Sequence, residues 1–186
     1  DEEWNSIQTW ASDNSGGPAY FFGRVRTTQF EPEISFVAPE GAGKSRPSEV
    51  DVFDFIPPAE ASSQRFDTRR VSTTKLWVIR RGEPTVQQTA EAIASSMSLP
   101  FEFVTITVGG AEGVEFGGDT PESATDKLFD GLGAIPFSRA ETWRFWIVDV
   151  NGEIVTFALF STKSDVEGYL PEIQEVLDSV IWKDLQ

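Results

Sequence analysis

From Thr142 to Phe160, on either side of an Asn151-Gly152 pair, apolar residues occupy alternating positions of both parities. Asn-Gly between β-branched and aromatic runs predicts a two-residue hairpin, because both central positions of a type I′ turn need positive φ. In that register one face carries Trp143, Phe145, Ile147, Ile154, Ala158 and Phe160, and the other carries Trp146, Val148, Val150, Val155, Phe157 and Leu159. A strand pair that is apolar on both faces has to be covered on both. The ribbon is therefore expected in the middle layer of a sandwich, with helices shielding either side.

The remaining elements follow from the same patterning. Ala19 to Thr27 reads as a strand, residues 29–39 as a turn into a second, Val50 to Ile56 as a third ended by Pro57-Pro58, and Thr74 to Arg80 as a fourth. A polar loop is expected over 58–73. Pro84-Thr85 opens a helix to about Met97, with Val86, Ala90, Ile93, Ala94 and Met97 on one stripe. Phe101 to Val108 and Gly113 to Phe116 predict a hairpin around Gly109-Gly110, and Pro121 to Leu132 a weak helix. Ser164 and Glu167 stand at capping-box spacing before a final helix whose apolar face is Val166, Leu170, Ile173, Leu177, Val180 and Ile181. Interior proline breaks the helical hydrogen-bond ladder, so Pro171 is expected near the first position of the main helix, after a separate capped turn. Val180-Ile181-Trp182 then closes as a short edge segment.

Composition changes this picture by exclusion. The chain has 186 residues, enough for one domain with a full core. Cysteine and histidine are both absent, which removes disulfides, thiolate and imidazole metal sites, and histidine-dependent nucleophilic catalysis. A net charge of −15 makes duplex nucleic acid or an anionic membrane an unfavourable partner. No apolar run is long enough to span a bilayer. The chain starts at Asp1 with a polar stretch ending Asn14-Ser15-Gly16-Gly17-Pro18. That composition predicts a leader or linker over 1–18 joined to a single α+β domain over 19–186, extracytoplasmic in location, at the cell surface or in a periplasm, with an export segment and room for a lipid anchor upstream. Trp4, Ile7 and Trp10 recur every three residues there, either as a short turn docked on the domain or as an exposed aromatic contact for a partner.

Candidate chemistry is sparse. Glu40-Gly41-Ala42-Gly43-Lys44-Ser45 lacks the first glycine of a phosphate loop, since Ala38 holds that position, and leads into a strand instead of a helix. Asp51/Asp54, Asp126/Asp130 and Glu172/Glu175 are carboxylate pairs by spacing, and a hydrolase would need two of them facing one cleft. No cofactor-binding, metal-ligating or catalytic set stands out. Trp77, Trp143, Trp146 and Trp182 lie on expected strands or their ends, either as packing mass or as the wall of a pocket for an apolar or sugar-like ligand. Arg144, set between Trp143 and Phe145, can stack on a ring, pair with a carboxylate, or mark where the sheet opens to solvent. Trp77, Trp143, Arg144 and Trp146 are thus the candidate ligand-binding residues.

The stretch Gln29-Phe30-Glu31-Pro32-Glu33-Ile34-Ser35-Phe36-Val37-Ala38-Pro39-Glu40-Gly41 resembles the opening of Mog1/PsbP-like domains and their bacterial exported lipoprotein relatives. Val176-Leu177-Asp178-Ser179-Val180-Ile181-Trp182 resembles that group's C-terminal motif. The tryptophan usual after the second-strand proline is missing, and Gly41-Ala42-Gly43-Lys44 stands there. The resemblance implies an α/β/α sandwich with a central, mainly antiparallel sheet. It also implies an exported, non-enzymatic binding or assembly domain for a protein partner or small apolar molecule, with no catalytic residues to carry over. The alternative is a carboxylate-based hydrolase with a cleft between sheet and loops.

Overall fold

The computed structural model describes residues 2–9, 21–27, 29–43, 52–55, 75–80, 84–119, 142–161 and 166–185. In chain order these form α1 (Glu2–Ser6), β1 (Gln8–Thr9), β2 (Phe21–Arg26), β3 (Ile34–Ala42), β4 (Val52–Phe55), β5 (Lys75–Ile79), α2 (Val86–Met97), β6 (Val104–Val108), β7 (Ala111–Asp119), β8 (Thr142–Val150), β9 (Glu153–Ser161), α3 (Val166–Asp178) and β10 (Ile181–Trp182). The expected polar loop over 58–73, the helix over 121–132, the capping serine Ser164 and residues 10–18 of the expected leader lie outside the described residues.

The expected hairpin organises the rest. Asn151 (φ 56°) and Gly152 (φ 91°) make the turn, and the Gly152 amide donates to Asp149 Oδ1 at 2.6 Å. β8 and β9 are the middle strands of an antiparallel sheet ordered β4-β5-β9-β8-β7-β6. On one face Trp143, Phe145, Ile147, Ile154, Ala158 and Phe160 share a cluster with Ala90, Ile93, Ala94 and Met97 of α2. On the other, Trp146, Val148, Val150, Val155, Phe157 and Leu159 share a cluster with Ile173, Val176 and Leu177 of α3 and with Val25, Ile34, Phe36 and Ala38. The ribbon is buried on both sides, in an α+β sandwich with a mainly antiparallel central sheet. The second cover is more than a helix, however. β2 and β3 leave the central sheet and form a small one, ordered β1-β2-β3-β10, beside α3.

Local signals explain the helix ends. Thr85 caps α2 by accepting from the Gln88 amide at 3.2 Å, and Ser98 closes it in the left-handed region (φ 55°). α3 corrects the expectation for Pro171. The helix is continuous from Val166, so Pro171 is its sixth residue and not its first. The missing N–H deprives only the Glu167 carbonyl, one turn earlier. Glu167, Gly168 and Pro171 are all exposed, so the unpaired carbonyl faces solvent and the proline is tolerated.

Glu33 ties both ends of the chain to the small sheet. Its carboxylate accepts from Trp4 Nε1 at 2.8 Å and from Lys183 Nζ at 2.6 Å, with Arg26 Nη1 at 3.8 Å. Trp4 is buried, and β1 pairs in parallel with β2, Gln8 opposite Val25. Burial acts to raise the Glu33 carboxyl, but the hydrogen bonds from Lys183 and Trp4 and the charges of Lys183 and Arg26 outweigh it and hold it below the usual carboxylate range. A lowered native value gives stability that is present above the ordinary value of 4.5 and is lost as pH falls through the native one. Urea unfolding across an acid pH series should therefore show a loss in the wild type that is flattened in Glu33→Gln. Parallel curves would mean that the clamp contributes nothing.

Candidate functional site

Among the described residues the central sheet ends at β6. This strand pairs antiparallel with β7, from Val104 opposite Glu115 to Val108 opposite Ala111, and with no other strand among the described residues. Gly109 (φ 59°) and Gly110 (φ 87°) form the two-residue turn between them. The residues flanking such a turn exchange both backbone hydrogen bonds, and bonded pairs then alternate along the ladder. Val108, Ile106 and Val104 thus bond inward to β7, while the N–H and C=O groups of Thr105 and Thr107 point away from the sheet.

Apolar side chains flank this open edge. Phe101 is 59% exposed and Val104 62% exposed; Val37, on β3, is the other large exposed hydrophobic residue among those described. Phe101 begins an aromatic row that crosses the α2 face into the core. Phe101 meets Phe103 edge-on (5.9 Å), Phe103 meets Phe116 edge-on (5.2 Å), and Phe116 stacks on Phe145 (5.1 Å). Phe145 then stacks on Trp143 (5.5 Å), and Trp143 tilts against Phe160 (5.2 Å). The outer ring is therefore held by a chain of rings running from β9 to the edge.

Between Phe101 and the outer face of α2 lies a groove of about 460 Å³, lined by Gln88, Glu91, Ala92, Ser95 and Phe101. All five residues are exposed. A volume in the range of small-molecule pockets is thus spread over an open trough that cannot enclose a ligand as such pockets do. It suits a side chain presented by a partner. From Pro84 to Asp119 the charged residues are Glu91, Glu102, Glu112, Glu115 and Asp119, with no lysine or arginine. Glu112 lies opposite Thr107 on the α2 side of the hairpin, and Glu115 lies opposite Val104 on the other side.

The residues singled out from the sequence sit elsewhere. Trp77 and Trp143 are buried together in the cluster under α2, whereas Trp146 is buried in the opposite cluster. The sheet separates them, and none lines the groove. Arg144 is half-buried on the Trp146 side, its side chain lying over the Gly117 backbone of β7. The pairs Asp51/Asp54 and Asp126/Asp130 fall on positions whose side chains are outside the described residues. Glu172 of the third pair is half-buried on α3; burial, and secondarily the charge of Glu175, raises its carboxyl. It is not in the groove, where Glu91 is the one carboxylate. Among the described residues no group of three or more aspartates and glutamates could hold a metal ion, and no helix is long and apolar enough to cross a membrane. Sequence reasoning missed Phe101, Val104 and the groove. A stretch of 36 residues carrying acids and no bases was the signal that could have drawn attention to them.

No protein-family model matches the chain, and no curated protein matches it. Solved structures do. The chain is similar to a protein of Bacteroides thetaiotaomicron VPI-5482 (13% identity, TM-score 0.46, 82% of this chain), spanning about half, 46%, of that longer protein. It is similar to cyanobacterial PsbP from Synechocystis sp. PCC 6803 (13% identity, TM-score 0.44, 93% of this chain and 98% of that one). It is also similar to LpqN, involved in cell envelope biogenesis of Mycobacterium tuberculosis (11% identity, TM-score 0.36, 90% and 85%). These are likenesses of shape alone.

Proposed function

We propose that this domain is an exported, non-catalytic binding module that engages a protein partner along the flank formed by α2, Phe101 and β6. The observation that carries the reading is the pair of exposed apolar side chains, Phe101 and Val104, beside a strand with no second neighbour among the described residues. Exposed apolar groups gathered at an open edge are a liability unless something covers them. Export rests on the resemblance of the two end motifs to a group rich in exported proteins. The hydrolase alternative has less support, since the groove offers a single carboxylate.

A photo-crosslinking amino acid placed at Phe101 tests the reading in the native host, with the same probe at Asp178 on the far helix as reference. The expected result is a discrete protein adduct at position 101 that is absent at 178 and weakened by Val104→Lys. Equal adducts at both positions, or an adduct at 178 alone, would overturn it.

A further inference from the structure

We infer that the partner is a basic polypeptide that adds to the sheet as an extended strand alongside β6. The inference rests on the flank reading above and says how that flank is used. Two features converge on this occupant. The outward N–H and C=O groups of Thr105 and Thr107 form a ladder half-built for another strand. The apolar contacts lie on both sides of that ladder: Phe101 and its groove toward α2, and Val104 on the opposite face. An added strand presents alternate side chains to these two faces, so one apolar residue can reach Phe101 while its neighbour reaches Val104.

Charge then selects among possible strands. Every charged residue from Pro84 to Asp119 is acidic, and Glu112 and Glu115 lie one strand in from the edge, on β7, one on each face. A lysine- or arginine-bearing strand would be attracted on both faces and steered by the wider field of a chain at −15. Two copies, each at −15, would repel one another as their β6 edges approached, which disfavours a second copy as occupant. A lipid or a small apolar molecule would leave the outward backbone groups unanswered.

The probe is a short synthetic peptide in which pairs of valines alternate with pairs of lysines, so that each face of the added strand carries both, added to the full chain. Amide exchange by NMR locates it, and calorimetry at low and high salt gives its affinity. Protection appearing at Thr105 and Thr107, affinity falling with salt, and a loss of at least tenfold in a peptide N-methylated at alternate residues would support strand addition. The N-methylated peptide leaves the protein untouched, so this arm does not depend on any variant folding. A glutamate-for-lysine peptide should fail to bind. Equal binding of that acidic peptide, or protection confined to other strands, would overturn the proposal. So would concentration-dependent protection of Thr105 and Thr107 without peptide, which would mean that a second copy is the occupant. A peptide that shifts the Phe101 and Glu91 signals but leaves both threonine amides unprotected would overturn strand addition while leaving the flank reading in place. Silence at the whole flank, together with no adduct at Phe101, would remove both.

Discussion

Replacing Trp182 with alanine should lower the unfolding free energy by about 3–5 kcal/mol, the range for truncating a buried aromatic. The indole is 1% exposed, and its ring meets Phe157 edge-on at 6.1 Å. Its Nε1 donates to the Val108 carbonyl at 2.9 Å. Trp182 lies on β10, paired with Ile34 on the small sheet, while Val108 is the last residue of β6 on the large one. The side chain is thus a bridge between sheets that ends beneath the turn supporting the candidate binding edge. Gly109 shows how close that fit is: a Cβ there would stand 2.8 Å from Val180 Cγ1 and 2.9 Å from Trp182 Cδ1. Alanine would remove the ring and the hydrogen bond that the indole adds to the Val108 carbonyl. Trp182→Phe restores most of the apolar volume but not that hydrogen bond, so its cost should be smaller, about 1–3 kcal/mol. For a chain of this size the alanine change corresponds to a drop in Tm on the order of 10 °C. Urea unfolding would contradict the bridge if both variants fell within about 1 kcal/mol of the wild type.

Trp143→Ala should be comparably damaging, again about 3–5 kcal/mol. This indole is 1% exposed, parallel to Phe145 (4° between planes) and tilted against Phe160. Its removal cuts the aromatic row that holds Phe101 in place, so a stability loss should be accompanied by faster exchange in the Phe101–Val104 region. Arg144→Ala, one residue along, is the control. Its side chain is half-buried across the β7 backbone, and its loss should cost no more than about 1 kcal/mol. The comparison separates packing from ligand contact. A Trp143 whose truncation left stability intact would belong to a preformed pocket wall and not to the core.

How much of this was legible in the sequence varies by element. The two faces of the β8–β9 ribbon could be read residue by residue, because Asn151-Gly152 sets a register and side-chain direction then alternates without ambiguity. α2 was legible from its stripe and its Pro-Thr start. Pro171 misled because the rule against interior proline depends on whether the deprived carbonyl is buried, and in α3 it faces solvent. The departure of β2 and β3 into a second sheet is a long-range choice; Phe36 and Ala38 would look the same in either sheet. The candidate site was the least legible part. Phe101 and Val104 have the composition of core residues, and only the order of strands in the sheet decides that β6 comes last. Trp77, Trp143 and Trp146 drew attention as possible pocket walls for the converse reason, since a buried indole and a ligand-facing one look identical in sequence.

Amide hydrogen exchange on the free protein tests most directly whether β6 ends the sheet. Slow exchange is expected at Ile106 and Val108, whose amides bond to β7, with fast exchange at Thr105 and Thr107 between them. Uniform protection of all four in dilute solution would mean that β6 already has a second neighbour, and the docking edge would not exist.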